Sequence, residues 1–433
     1  MQPRVSLVPG MTPAIAVPPE PCAGSRATPC DAARIGTSAA DDVLVDRLPC
    51  LAPFAALALR FDRFGVCCSS SAEAPLPEAP DSAAGREAIF NDPLYRDLRR
   101  RMIDGEQLPR DCRACLAHNT TSQLFRSPKV RAVAVSNLTR MDRSGRIGGF
   151  ELAYAFANLD NQCNLACRTC SSTYSTTYAR KLAAHARPLG HDRVDGRRRS
   201  PVAALSLLSQ ARVCVEFQGG EPFVSPLFTT ALDRLRTGQV RIITNGTLAP
   251  AAILDRLARV ADLTIWVSMD GARDTNTRIR HGLDHDRFLQ TLRRVATALP
   301  WARRRINFTV SRYNIGTIPS FLSELQVLGQ LVEGFDYHFV ELPPHMRLTT
   351  IAPEARARVL AELASLTVPP GPFAATARRM IAHVSRELAG APEQDSDAEA
   401  TLVRFDAAVD ALGRSNGAIP EAAPPGEAAL VRG

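Results

Sequence analysis

A chain of 433 residues, 45% hydrophobic and 22% charged, has the composition of a folded globular protein and not of a disordered or fibrous one. No uncharged apolar run is long enough to cross a bilayer, and the opening residues MQPRVSLVPGMTPAIAVPPEP are too broken by proline for a signal peptide. A soluble, cytoplasmic protein without a membrane partner is therefore expected. The net charge of +8 rests on Arg, with Lys only at Lys129 and Lys181, which fits GC-rich coding better than a nucleic-acid face. The densest basic run, Arg193 with Arg197, Arg198 and Arg199, lies in a Gly- and Pro-punctuated segment.

Taken in chain order, residues 1–45 are rich in Pro, Ala and Gly and predict a loosely ordered lead-in. Residues 46–120 carry Cys50, Cys67, Cys68, Cys112 and Cys115. Within them, the apolar run 55–61 predicts a strand, 62–65 a turn, and 93–102 a helix. From about residue 150 the rhythm changes. Strands are predicted at 152–158, 213–218, 240–244, 263–268, 306–311 and 337–341, with helices at 226–236, 251–260, 287–299 and 318–331. Strands alternating with helices predict parallel βα units, either a partial or full barrel or an open doubly wound sheet. Residues 346–433 read as a helical extension, broken by proline at 368–372 and frayed after 419.

Eleven cysteines in a large chain without a secretion signal point to metal or redox chemistry rather than disulfides. Cys163, Cys167 and Cys170 form a C-x3-C-x2-C triplet in the loop after the first strand of the 150–345 unit. Three thiolates on one short loop can hold three corners of a [4Fe–4S] cube and leave the fourth iron open. A structural zinc site would close with a fourth ligand, and the nearest His or Cys behind Cys170 is His185, on a predicted helix. Gly219-Gly220-Glu221-Pro222 follows the second strand, Thr244-Asn245-Gly246-Thr247 the third, and Ser268-Met269-Asp270-Gly271 the fourth. Read alone, these are strand-to-helix turns.

Together the motifs resemble the radical S-adenosylmethionine (SAM) superfamily. The resemblance implies an α/β fold: a partial (β/α)6 TIM-type barrel core over 150–345, with chemistry at the carboxyl ends of the strands. It further implies a catalytic [4Fe–4S] cluster on Cys163, Cys167 and Cys170. SAM would be bound by Gly219, Gly220 and Glu221 at its methionine ammonium, and by Asn245, Ser268 and Asp270 at its ribose and carboxylate. Reductive cleavage of SAM would give a 5′-deoxyadenosyl radical that abstracts hydrogen from a substrate, with a flavodoxin- or ferredoxin-like protein as electron donor. Many members carry an aromatic residue before the third cysteine, where this chain has Thr169, so adenine contact is expected from elsewhere, such as Tyr174. Arg280 would meet a carboxylate or be solvated.

The upstream cysteines Cys50, Cys67, Cys112 and Cys115 form a second group, in which four thiolates suit an iron–sulfur cluster or a zinc ion. Their layout resembles a SPASM/twitch module with an auxiliary [4Fe–4S] cluster, placed before the barrel as in one group of the superfamily, which the tail from Phe405 to Pro420 also resembles. Cys67 is preferred over Cys68 as ligand. Cys214 is expected to be a buried apolar thiol. The resemblance offers peptide maturation or a small-molecule substrate, such as a sugar, nucleoside or amino acid. An iron–sulfur electron carrier would have no need of Glu221, Ser268 and Asp270. No catalytic residue is assigned from the sequence.

Overall fold

Eleven strands and their intervening helices are seen in a computed structural model that describes residues 45–118, 125, 127–186, 198–340, 344–390 and 396–415. The lead-in, Arg193 and Arg197 of the basic run, Glu341, and the end of the tail beyond residue 415 lie outside the described residues.

The strands are β1 (Ala56–Arg60), β2 (Arg63–Gly65), β3 (Ala74–Pro75), β4 (Tyr154–Asn158), β5 (Ala166–Cys167), β6 (Cys214–Phe217), β7 (Gln239–Thr244), β8 (Asp262–Ser268), β9 (Arg280–His281), β10 (Arg303–Val310) and β11 (Gly334–Phe339). Nine of them form one sheet in the order β11-β10-β8-β7-β6-β4-β1-β2-β3. The six strands expected after residue 150 are its β4, β6, β7, β8, β10 and β11, all parallel. The upstream segment joins the same sheet, because β1 pairs in parallel with β4 over five residues. The expected turn at 62–65 is tighter than anticipated: the chain reverses at Phe61, which has a positive φ of 58°, and Arg63–Gly65 runs back as antiparallel β2.

Period-2 alternation explains how the sheet is covered. Val240 and Ile242 of β7 and Ile306 and Phe308 of β10 share one buried face. Helices pack there, with Phe308 on Phe321 at 4.0 Å and Phe217 on Phe228 at 4.9 Å between ring centres. The helices start and stop where the sequence allows. Asp284 accepts from the amides of Asp286 and Arg287 at the head of His285–Ala298, whose Phe288, Leu292 and Val295 point inward. Asp92 and Pro93 open Pro93–Asp104, and Gly105 closes it at φ 68°.

The opposite face of the sheet is polar. Tyr154 donates to Glu216 at 2.6 Å and accepts from Arg241 at 3.1 Å. Further along, Trp266 donates to Asp336 at 2.6 Å, and Arg305 grips both oxygens of the same carboxylate. Buried Glu216 and the half-buried Arg241, Arg305 and Asp336 are tolerated here because each has a partner on a neighbouring strand.

Beyond the sheet lie helices Pro353–Ser365, Ala374–Ala389 and Ser396–Ser415. Residues Leu402, Phe405 and Val409 of the last helix build a second small core with Ala166, Tyr178, Leu182 and Met346, against which Cys170 and Tyr313 pack.

Candidate metal and cofactor site

The site is assembled at the carboxyl ends of β4, β6, β7 and β8. The chain leaves β4 through Asp160 and Asn161, and Cys163 follows at once. Cys167 lies in β5, which pairs antiparallel with β9, so the triplet is held against Arg280 and His281. The Cys170 amide closes a turn onto the Cys167 carbonyl at 3.0 Å.

Gly219 and Gly220 adopt φ values of 77° and 39°. A Cβ on Gly219 would lie 2.7 Å from the Asn158 side chain, and one on Gly220 would lie 2.6 Å from the Gln162 carbonyl oxygen. The close approach that these glycines permit is thus to the start of the cysteine loop itself. The Glu221 amide then donates to the Gln162 carbonyl at 2.7 Å, tying the end of β6 to that loop.

Glu221 is 1% exposed. One carboxylate oxygen accepts from the Phe223 amide and the Thr244 hydroxyl, at 3.0 and 2.7 Å, and the other from the Asn245 amide at 2.6 Å. Burial pushes its pKa up, and these three donors hold it back. The structure therefore gives Glu221 protein partners that the sequence did not disclose, a tie between the ends of β6 and β7. Asn245 carries the tie onward: its side-chain Nδ2 donates to Asn164 Oδ1 at 2.8 Å and stands 3.9 Å from the Cys163 sulfur.

On the other side, Asp270 is also 1% exposed and accepts from the Thr309 amide at 3.0 Å. Its second oxygen lies 3.0 Å from Arg280 Nε, yet neither atom has a partner in hydrogen-bonding geometry. The pair attracts as charges without a directed bond, which leaves a buried donor and a buried acceptor available. Arg280 Nη1 is 4.0 Å from the Cys167 sulfur. Burial opposes the charge on Arg280, but Asp270 and the nearby cysteines outweigh it and raise its pKa. Arg280 is therefore buried and paired rather than solvated. Ser268 ends β8, is buried, and faces the same side of the sheet as Asn307. Tyr174 is 38% exposed and packs on Phe61, with ring centres 6.0 Å apart.

Burial and the neighbouring cysteines push the Cys163 thiol up, and burial does the same at Cys167. A thiol held this way gives up its proton readily only to a cationic partner, which metal supplies. Three thiols on one loop, with no fourth ligand from the loop, are the donor set that three corners of an iron–sulfur cube would take.

The upstream group gathers beside β1, where β2 runs back antiparallel and its last residue, Gly65, lies level with Ala58. Cys50, Cys67, Cys112 and Cys115 line one small cavity, together with Ser69, Ser70, Leu116 and Phe125; Cys68 is not in its wall. Cys112 and Cys115 share a side of helix Arg110–His118. Asp111 of that helix accepts from the Ser71 amide at 2.8 Å. The Arg60 guanidinium donates to the carbonyls of Cys67 and Cys68 at 2.9 and 2.8 Å and fixes their turn. Burial and the other thiols push Cys50 up to about 12 and Cys112 up to about 11. Among the described residues, no three His, Cys, Asp or Glu side chains are placed to hold a metal ion. Cys214 is buried in β6, and burial raises its pKa to about 12.

No family model matches the chain, and no curated protein matches it. Solved structures do show likeness. SuiB of Streptococcus suis bound to the precursor peptide SuiA is 15% identical, with a TM-score of 0.36, over 60% of this chain and 52% of that one. Native anSMEcpe with bound AdoMet is 17% identical at a TM-score of 0.37, over 49% of this chain and 59% of that one. TYW1 with a lysine-pyruvate adduct is 15% identical at a TM-score of 0.26, over 49% of this chain and 70% of that one. The chain thus spans little more than half the length of SuiB and anSMEcpe. Scores this low decide nothing for this chain, whose reading rests on its own residues.

Among the functional candidates that sequence reasoning passed over, Arg168 is foremost. Its side chain is 2% exposed and holds the cysteine loop to the last helix. An Arg inside a ligand triplet was visible in the sequence, but its acidic partners lie more than two hundred residues away.

Proposed function

We propose that this chain is a radical SAM enzyme, with its catalytic [4Fe–4S] cluster on Cys163, Cys167 and Cys170 in a partial-barrel core. The observation that carries the reading is the convergence of three parallel-strand ends on the triplet. Glu221 of the β6 end holds Asn245 of the β7 end beside the Cys163 sulfur, and Asp270 of the β8 end pairs with Arg280 beside the Cys167 sulfur. When bound, the cluster and SAM supply reductive cleavage of SAM and hydrogen abstraction from a substrate.

The chain's own residues bind and orient. Gly219 and Gly220 bring the β6 turn onto the cysteine loop, and Glu221 fixes the strand ends. Glu221 stands at the strand end where the methionine ammonium of SAM would lie, and Asp270 and Arg280 form a buried pair suited to its ribose and carboxylate. Asn245 and Ser268 stand beside them as further polar contacts. Glu221, Asn245, Ser268, Asp270 and Arg280 are buried around the half-buried cysteines, which limits the water beside them.

In the upstream cavity we place an auxiliary [4Fe–4S] cluster on Cys50, Cys67, Cys112 and Cys115, which makes residues 46–120 a SPASM/twitch-like unit. The shared cavity supports that choice and favours Cys67 over Cys68. A flavodoxin- or ferredoxin-like donor would deliver the electron. The SuiB structure holds a precursor peptide and an anSMEcpe structure the Cp18Cys peptide; for this chain a peptide is the substrate we propose, with a small molecule as the alternative.

Metal counting tests both sites. Anaerobically reconstituted protein is expected to bind about eight irons, and Cys163→Ala/Cys167→Ala/Cys170→Ala about four. One zinc beside about four irons in the parent, with no iron in the triple variant, would replace the auxiliary cluster by zinc. A triple variant that keeps all the parent's iron would reject the assignment of the triplet.

A further inference from the structure

Between Cys167 and Cys170 lies an arginine whose whole guanidinium is engaged. Arg168 Nε donates to the Arg278 carbonyl at 2.9 Å, Nη1 to Asp406 at 2.8 Å, and Nη2 to Asp410. Its own amide donates to the Ile279 carbonyl at 2.8 Å. Tyr313, in the loop after β10, donates to the same Asp406 oxygen at 2.8 Å, and its ring lies 5.9 Å from the Arg168 guanidinium carbon. Asp406 and Asp410 are one turn apart on helix Ser396–Ser415, whose Leu402, Phe405 and Val409 pack in the small core that Cys170 touches. Charge pairing and apolar packing thus seat the same helix on the same loop, by independent contacts.

We propose that helix Ser396–Ser415 is a clasp for the three-cysteine loop, with Arg168 as the positioning residue that pins it. The proposal rests on the reading of Cys163, Cys167 and Cys170 as a ligand set. Arg168 touches no reacting atom. Its role is to hold the loop between two ligands rigidly, so that Cys170 keeps its place relative to Cys163 and Cys167. A planar fork with three directed bonds suits this task; the single ammonium of lysine cannot reproduce it. Once either aspartate is lost, a buried guanidinium is left short of a partner, and the helix is the element free to move away.

Iodoacetamide labelling of the full-length, metal-free protein, followed by mass spectrometry, reads the clasp at Cys170, with Cys112 of the upstream cavity as internal reference. Asp406→Asn/Asp410→Asn is expected to raise the labelling rate of Cys170 about tenfold and leave Cys112 unchanged. Arg168→Met should match it, and Arg168→Lys should fall between that variant and the parent. Labelling of Cys170 at the parental rate in the Asp406/Asp410 double variant overturns the proposal. Equal acceleration of Cys170 and Cys112 overturns it too, because the helix would then support the whole fold rather than the loop. A second arm follows loss of iron from reconstituted protein in air, which should also be about tenfold faster in the double variant. Parental lifetime there, with Cys170 loosened, would sink the link to the metal site. A parent that binds no iron would instead reject the ligand reading, while the labelling result would still decide whether helix and loop are coupled.

Discussion

Glu221 shows how one side chain orders a site. Its carboxylate accepts three hydrogen bonds from protein groups on two strand ends, and Asn245, held by one of them, reaches the Cys163 sulfur. Replacing it by Gln preserves shape but turns an N–H toward a backbone N–H or a hydroxyl that was donating. Glu221→Gln is expected to lower the stability of the metal-free protein by about 1–3 kcal/mol, read by chemical denaturation. Unchanged stability would show that the carboxylate is not the tie. The sequence pointed to Glu221 from its place after a strand and two glycines, but it could not show what the carboxylate touches. The same holds for Arg280: its position was legible, and its burial against Asp270 and Cys167 was not. Such contacts depend on which strands become neighbours, and local spacing carries no record of that.

Among the elements, the six parallel strands after residue 150 were legible because each is an apolar run set between helical patterns. Hidden from view was the upstream run 56–60 as their seventh parallel neighbour, since its pairing with β4 spans about a hundred residues of chain. The polar face of the sheet was equally obscure. Arg241, Trp266, Arg305 and Asp336 are scattered in sequence and meet only after the strands align in register. There Asp336 links β8, β10 and β11 by accepting from Trp266 and Arg305. Burial works to raise its pKa, but the Arg305 and Trp266 bonds prevail and hold it below the usual carboxylate range. A depressed carboxylate contributes stability above its unfolded pKa, and that contribution fades as pH falls through its folded value. Below about pH 4 the parent should therefore lose part of its advantage over Asp336→Asn. Thermal melts of both proteins from pH 7 to pH 3 check this; a gap between them that stays constant throughout would contradict it.

At the scale of the whole molecule, the triplet sits at the carboxyl end of β4, and the four-cysteine cavity lies beside the neighbouring β1, where the chain leaves β2 towards the amino end of β1. Phe61, at the turn out of β1, packs on Tyr174, which follows Cys170, so the segments carrying the two groups touch. The last helix closes over the first group through Arg168, and the sheet's covered face supplies a rigid base for both. The proposed reaction starts at the triplet, and its product is the most direct witness. Reconstituted protein given dithionite and SAM under anaerobic conditions should release 5′-deoxyadenosine slowly even without substrate, as measured by liquid chromatography with mass spectrometry. The account predicts that Cys163→Ala/Cys167→Ala/Cys170→Ala releases none, and 5′-deoxyadenosine from that variant at the parental rate would contradict it.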